Sequence, residues 1–348
     1  MKLLVVSNMF PSKAAPGYGT FVKNFCTQLE QLQIDYRLAV MKKAKSKPGK
    51  LAAYVGFYLK SFFASLFGRY DAVYVHYASH SSPGVLLARK LRKFTIYTNC
   101  HGSDVIPQNK SQEKMQKHTR AILAKSEKII VPSDYFRRVV TEKYGVESRK
   151  LKVNPSGGVD TALFSPKPCK QPPFTIGFVS RLISGKGWDV LLKACALLPD
   201  RDFRVLLVGG GPDTARAKEL ARQLGLESQV EFAGEQPQTS LPGFLNQMDV
   251  FVFPTTLAES LGLVAVEAMA CGVPVIVSDN AAPADYVENG VNGYKFPVRD
   301  SEALAQALEK FRALPADLKT ELQKGALETA FKFDRAAVTQ NLKSILEE

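Results

Sequence analysis

Short unbroken apolar runs alternate along this chain with longer stretches whose apolar positions recur at helical spacing. In the first half, Lys2–Val6, Tyr36–Val40, Ala72–His76, Thr95–Cys100 and Lys128–Pro132 read as strands, and Gly19–Gln31 and the region near Pro83–Leu91 as helices. Residues 165–173 carry four prolines in nine positions, which cannot continue a helix or a central strand and mark a linker. A second series follows, with strands at Phe174–Ser180, Phe203–Val208, Val230–Ala233, Val250–Phe253 and Pro274–Ser278. Helices fall near 186–198, 213–224, 239–247, 262–271, 301–312 and 317–331, and a final one starts after Asp334, a good N-cap. The alternation predicts two Rossmann-like, doubly wound α/β domains. Their expected limits are 1–165 and 174–333, with a helix over 334–348 that packs back on the first. Two such domains facing each other leave a cleft, and ligands of such sheets bind at the carboxyl ends of the strands.

Composition changes this picture little. The chain has 348 residues, 45% hydrophobic and 23% charged, which suits two folded domains and excludes disorder. Cysteines stand at 26, 100, 169, 195 and 271 with no CxxC pair, as expected in a reducing compartment without a disulfide framework. The start, MKLLVVSNMF, reads as a first strand and not as a signal peptide. No clean stretch of 18 apolar residues predicts a transmembrane helix. The expected location is cytoplasmic, or peripheral on the cytoplasmic face of a membrane.

Charge adds more. Residues 1–160 hold 27 Lys and Arg against 10 Asp and Glu, a net +17, whereas 161–348 hold 19 against 23, a net −4. Five lysines lie within Lys42–Lys50, before a helical stretch, Leu51–Phe67, with Leu51, Tyr54, Val55, Tyr58, Leu59, Phe62 and Leu66 on one face. A helix packed on its sheet accounts for that face. The sharper alternative is docking of residues 42–67 on an anionic membrane, helped by Arg89-Lys90 and Arg92-Lys93. No nucleic-acid motif accompanies the charge, so nucleic acid is not an expected partner.

Chemistry concentrates in Pro254-Thr-Thr-Leu-Ala-Glu259-Ser-Leu-Gly-Leu-Val-Ala-Val-Glu267-Ala-Met-Ala-Cys-Gly-Val-Pro274. A strand ends at Pro254, and a loop carrying Glu259 enters a helix whose first turn is expected at Ser260–Leu263. Free amides of Ser260, Leu261, Gly262 and Leu263, with the helix dipole, suit phosphate or sugar oxygens. Glu259 can reach a sugar hydroxyl, and Glu267 can accept from a ribose diol. Taken singly, Glu259 is an ordinary cap and Glu267 a solvated helix position. The segment resembles the glutamate-x7-glutamate signature of retaining glycosyltransferases of family 4, which have the GT-B fold. The resemblance covers nearly the whole chain, is specific around 174–300 and is weaker before 150.

Other motifs gain meaning beside it. Gly177-Phe-Val-Ser-Arg181-Leu-Ile-Ser-Gly-Lys186-Gly-Trp follows the first strand of the second series, and its two cations suit a diphosphate. The resemblance implies that Arg181 and Lys186 bind the donor pyrophosphate, that Gly210 and Gly234 line the nucleotide pocket through the backbone, and that His101 is the active-site histidine near the transferred sugar. His101 would hydrogen-bond a hydroxyl and the developing charge, not act as a nucleophile. The first loop, with Tyr18 and Gly19, is similar to the family's but lacks its double glycine. Gly19 would approach a phosphate, and Tyr18 and Asp104 are acceptor candidates, although Asp104 also suits a turn cap. The resemblance further implies front-face transfer without a metal or other cofactor.

Several signals carry less. Gly209-Gly-Gly-Pro lacks the later glycine and acidic partner of a dinucleotide fingerprint, which disfavours an NAD enzyme. Asp200-Arg-Asp202 lies at a helix-to-strand turn, away from the carboxyl ends. His76 and His80 have zinc-like spacing but no intervening glutamate. No metal site is expected. The reading is a retaining glycosyltransferase moving a hexose from a nucleotide-diphosphate sugar, with uridine the expected base, to a glycan or lipid-linked saccharide in cell-surface polysaccharide synthesis such as lipopolysaccharide or capsule. The alternative is a catalytically weak nucleotide-sugar or glycan-binding protein. A phosphorylase or epimerase is disfavoured by the glutamate signature.

Overall fold

The computed structural model describes residues 1–44, 46–168 and 173–348. Most of the proline-rich segment is described, but Cys169, like Lys45 of the basic run, lies outside the described residues. The chain divides into two units, Met1–Gly157 with Val338–Glu348, and Gly158–Ala337.

The first unit is built on β1 (Lys2–Phe10), β2 (Asp35–Lys42), β3 (Ala72–His76), β4 (Ile96–Asn99), β5 (Lys128–Val131) and β6 (Leu151–Val153). All are parallel, in the order β2-β1-β3-β4-β5-β6. Between them run α1 (Thr20–Gln31), α2 (Lys47–Phe67), α3 (Ala78–Leu91), α4 (Lys110–Lys125) and α5 (Asp134–Tyr144). The strands are unbroken apolar runs because both faces are covered. Leu4, Val6, Val73 and Val75 enter one core, and their neighbours Leu3, Val5, Ala72 and Tyr74 enter the other.

The second unit repeats the plan with β7 (Phe174–Val179), β8 (Phe203–Val208), β9 (Val230–Gly234), β10 (Val250–Phe253), β11 (Val275–Ser278) and β12 (Gly293–Phe296). Their order is β12-β11-β10-β7-β8-β9, again parallel. Its helices are α6 (Trp188–Ala196), α7 (Thr214–Gln223), α8 (Leu241–Leu245), α9 (Leu263–Ala270), α10 (Ala281–Tyr286), α11 (Ser301–Arg312) and α12 (Ala316–Phe331). The strand order reverses between β1 and β3 in the first sheet and between β7 and β10 in the second. In open sheets those switch points are where ligands bind, beyond the carboxyl ends.

The last helix, α13 (Arg335–Glu347), begins behind Asp334, whose carboxylate accepts from the Ala336 amide at 2.8 Å. From Val338 onward it belongs to the first unit. Leu342, Ile345 and Leu346 enter the core beside Leu3 and Val5, and Lys128 Nζ donates to the Ile345 carbonyl at 2.6 Å.

One expectation for α2 is corrected. The helix packs through Phe57, Ser61 and Ser65 together with one side of the expected apolar face, Tyr54 and Tyr58, while Leu51, Val55 and Leu59 of that face do not pack. A Cβ added at Gly84 of α3 would lie 2.2 Å from Ser61 Oγ and 2.5 Å from the Tyr58 carbonyl, so the helices approach too closely for a bulky side chain between them. Leu51, Val55, Leu59, Phe63 and Phe67 therefore stand on the solvent side, each at least half exposed. Tyr54 and Tyr58 are only partly buried. Arg92 ties the end of α2 to α3 by donating to the carbonyls of Leu66 and Gly68, both at 2.8 Å. Among the described residues no helix is long and apolar enough to cross a membrane.

Candidate active site

The second sheet's switch point carries the strongest cluster. After β7 the chain turns through residues 180–187 and lies down on the end of β10. A Cβ at Gly187, where φ is 79°, would fall 1.8 Å from the Pro254 carbonyl oxygen, so only glycine permits the contact. The Thr256 amide and Thr255 hydroxyl both donate to the Gly185 carbonyl, at 2.8 and 3.2 Å. This contact brings Lys186 Nζ within 2.5 Å of Glu259 Oε1, although the residues are 73 positions apart. The pair is part-buried, with side-chain exposures of 16% and 19%. Thr255 Oγ1 also lies 3.3 Å from Glu259 Oε1, so its single hydrogen is shared between that carboxylate and the Gly185 carbonyl.

Arg181 behaves differently. Its side chain is exposed and, among the described residues, has no hydrogen bond or ion pair. Its loop is held by Gly209–Gly211. The Leu182 amide donates to the Gly210 carbonyl at 2.9 Å, and a Cβ at Gly209 would lie 1.9 Å from the Ser180 carbonyl oxygen. The glycine run is thus required by the shape of the Arg181 loop. Gly234, at φ 69°, faces open space and accepts the Gly209 amide at 2.7 Å.

The expected helix start shifts. Helix α9 begins at Leu263, with Gly262 as its N-cap at φ 75°, so Ser260 and Leu261 lie on the preceding loop. Leu261 is 2% exposed, which leaves only its backbone to meet a ligand. A Cβ at Gly262 would lie 2.9 Å from Pro283 and 3.1 Å from the Phe253 ring, so protein packing already demands glycine. Among the described residues no side chain caps α9, so the amides of Leu263 and Val264 can meet an anion, while that of Ala265 donates to the Gly262 carbonyl at 2.9 Å. Glu267 is not a solvated position: it is 7% exposed and its Oε1 accepts from Gln238 Nε2 at 2.8 Å. Burial pushes its carboxyl above the ordinary range, with Gln238 pulling the other way.

In the first unit, His101 follows β4 beside the end of β3. Its Nε2 is 3.0 Å from Nδ1 of His76, and Phe21 lies over its ring at 4.2 Å. Burial lowers the His101 pKa to about 3, so the ring is neutral near pH 7. Asp104 is completely buried. Its two oxygens accept from the amides of His101 (3.0 Å), Gly102 (2.8 Å) and Ala78 (2.9 Å). That is the geometry of a cap holding the histidine loop to the start of α3, and it leaves no exposed carboxylate for an acceptor. A Cβ at Gly19, at φ 79°, would sit 2.6 Å from the Met9 backbone, so this glycine too answers to chain packing. Tyr18 is partly buried and donates to the Asn8 carbonyl at 3.2 Å.

Three contributors have no sequence signal: Gln238, which orients Glu267; Thr255, which orients Glu259; and His76, set aside earlier as half of a zinc-like pair. Asp200 and Asp202 form a turn held by Arg312 at 2.7 and 3.5 Å, before β8. Among the described residues no three His, Cys, Asp or Glu side chains gather as a metal site. The described cysteines, Cys26, Cys100, Cys195 and Cys271, are free and buried.

Comparison with known proteins gives this geometry its family. A profile described as "Glycosyltransferase Family 4" matches residues 17–163, and one described as "Glycosyl transferases group 1" matches 160–328. The chain is 30% identical over 289 residues to WcaL of Escherichia coli (strain K12), a colanic acid biosynthesis glycosyltransferase, covering 78% of this chain and 70% of that one. It is 26% identical over 275 residues to the amylovoran biosynthesis glycosyltransferase AmsK of Erwinia amylovora, covering 75% and 67%. Among solved structures, Anabaena HepE in complex with UDP matches over the full length of both chains with a TM-score of 0.78 at 21% identity. Sucrose-phosphate synthase of Thermosynechococcus elongatus matches 99% of this chain and 98% of that one, with a TM-score of 0.81 at 21% identity. The chain belongs to the glycosyltransferases that join an amino-terminal family 4 domain to a carboxy-terminal group 1 domain on the GT-B fold.

Proposed function

We propose that this protein is a retaining, metal-independent glycosyltransferase that moves a hexose from a uridine-diphosphate sugar to a glycan or lipid-linked saccharide in cell-surface polysaccharide synthesis. The observation that carries the reading is the Lys186–Glu259 pair at the switch point of the second sheet, with Arg181, which has no partner among the described residues, on the same loop as Lys186. The names of WcaL and AmsK support the polysaccharide, and the UDP bound to HepE supports the base.

In this reading the donor diphosphate takes over Lys186 and recruits Arg181. Positioned cations stabilise the charge that grows on the leaving diphosphate. Glu259, released from Lys186, accepts from a sugar hydroxyl. Glu267, held by Gln238, accepts from the ribose diol. The bond from the anomeric carbon to the diphosphate oxygen breaks, the acceptor oxygen attacks from the same face, and the departing phosphate oxygen receives the acceptor's proton. Neutral His101 donates to a sugar hydroxyl, and the first unit binds the acceptor, with Tyr18 a candidate contact. Screening nucleotide sugars for thermal stabilisation tests the donor. Stabilisation by UDP-hexoses supports the reading, and stabilisation by none of them opposes it. Binding without transfer or donor hydrolysis would favour a binding protein of the same fold.

The same reading places the enzyme on the cytoplasmic face of an anionic membrane. Leu51, Val55, Leu59, Phe63 and Phe67 of α2 are exposed, as are Lys42, Lys43, Lys50, Lys60 and Arg69, which lie on or close to α2 in sequence, and Lys90 of the adjoining α3. Apolar insertion and attraction to anionic lipid act together on such a surface. Self-association would instead bring two basic surfaces together. Sedimentation with phosphatidylglycerol vesicles, but not with phosphatidylcholine vesicles, is expected. Equal behaviour with both would overturn the membrane assignment.

A further inference from the structure

His76 ends β3 with 1% of its surface exposed, and among the described residues its side chain makes one hydrogen bond, the 3.0 Å contact from Nδ1 to His101 Nε2. Its other nitrogen, Nε2, is sealed from solvent and has no partner among the described residues. Phe25 and Tyr74 enclose the ring, with centroids at 4.6 and 4.9 Å. Burial drives its pKa well below the ordinary histidine range, with His101 adding to the shift. Two neutral imidazoles in contact share one proton along the line between them, so one nitrogen donates and the other accepts.

The two arrangements leave different groups stranded. If His101 donates, His76 must carry its own proton on Nε2, a buried N–H with no acceptor. Unsatisfied buried donors are rarer than under-satisfied acceptors. If His76 Nδ1 donates, the stranded group is a bare lone pair among aromatic rings, and His101 carries its proton on Nδ1. That atom has no hydrogen bond among the described residues and is not sealed from solvent.

We infer that His76 is a positioning residue, which donates from Nδ1 to His101 Nε2 and so fixes His101 as a neutral Nδ1–H donor toward a ligand oxygen. The His101 loop is held from its backbone side by Asp104 and from its ring by His76 and Phe21. A partner that fixes an imidazole's tautomer and plane decides what the other nitrogen can do. That the ligand oxygen belongs to the transferred sugar rests on the function proposed above; the tautomer does not.

The test uses the full chain with 15N-labelled histidine, whose ring nitrogens distinguish protonated from bare positions in long-range proton–nitrogen correlation spectra. In the wild type, His101 is expected with Nδ1 protonated and Nε2 bare. His76→Asn keeps an amide N–H near the former Nδ1 and should preserve that pattern. His76→Gln extends its amide toward the former Nε2 and should release His101 to a mixture of tautomers. His76→Gln should also turn over about 10- to 100-fold more slowly than His76→Asn, the range known for partners that orient metal-bound imidazoles, with KM for the nucleotide sugar little changed. An Nε2-protonated His101 in the wild type, or the same His101 pattern in both variants, would overturn the assignment. The wild-type spectrum decides even if neither variant folds. The expected spectra with equal turnover in both variants would leave the tautomer assigned and count against the sugar contact instead.

Discussion

The carboxyl edges of the two sheets use opposite chemistry. Beyond β7 and β10 stand a part-buried ion pair, Lys186–Glu259, and an exposed cation, Arg181. Beyond β3 and β4 stand two histidines held neutral by burial, and a carboxylate spent on three backbone amides. The net charges run the other way, +17 for residues 1–160 and −4 for the rest. The basic excess of the first unit includes many outer positions, among them Lys42, Lys43, Lys50, Lys60 and Arg69, which are exposed. Net charge therefore describes the surface a domain shows to large partners, and the site must be read from the few groups at the strand ends.

The largest effect is expected at the charged edge. Lys186→Ala leaves Glu259 without its cation and should lower transfer about 10²- to 10³-fold, the usual cost of removing one group that meets developing charge. Gly187→Ala should come next, since it forces a strained φ and a clash with Pro254. A loss of about 1–3 kcal/mol in the stability of the second unit, read by thermal unfolding, is expected.

Glu267→Gln separates function from stability. The folded carboxyl is raised above its ordinary value of 4.5, so the folded state holds that proton more tightly than the unfolded one. Stability then falls as pH rises from 4.5 through the folded value, and the whole cost is present above it. Glutamine removes the cost and should raise Tm at pH 7, while weakening nucleotide binding. A lower Tm would show that ionised Glu267 stabilises the fold. The smallest effect in solution belongs to Phe63→Ser with Phe67→Ser. Both side chains are exposed, so stability should stay within about 0.5 kcal/mol per substitution while binding to phosphatidylglycerol vesicles falls.

The strands were readable because a parallel strand buried on both faces must be an apolar run. Ala72–His76, Phe203–Val208 and Val250–Phe253 match the predicted limits. Edge strand β6 (Leu151–Val153) has three residues and β12 opens on Gly293, so neither makes a run long enough to notice. Helix α4 buries only Thr119, Ile122 and Leu123, too few for a stripe. At the site, sequence points to Lys186 and Glu259 in separate motifs and assigns them different oxygens. Their pairing depends on the contact of Gly187 with Pro254, which no local pattern encodes. Helix α2 was legible in part: Tyr54 and Tyr58 of its apolar face pack, but the close contact of Ser61 with Gly84 rotates Leu51, Val55 and Leu59 to the solvent side.

The central claim is that the charged edge of the second sheet grips a nucleoside diphosphate. Calorimetric titration of UDP into the wild type and into Arg181→Ala tests it most directly, because Arg181 is exposed and has no partner among the described residues to disturb. The account predicts binding to the wild type and a loss of about 10- to 100-fold in the variant, the worth of a charge-assisted hydrogen bond. Equal affinity in the two proteins would contradict it.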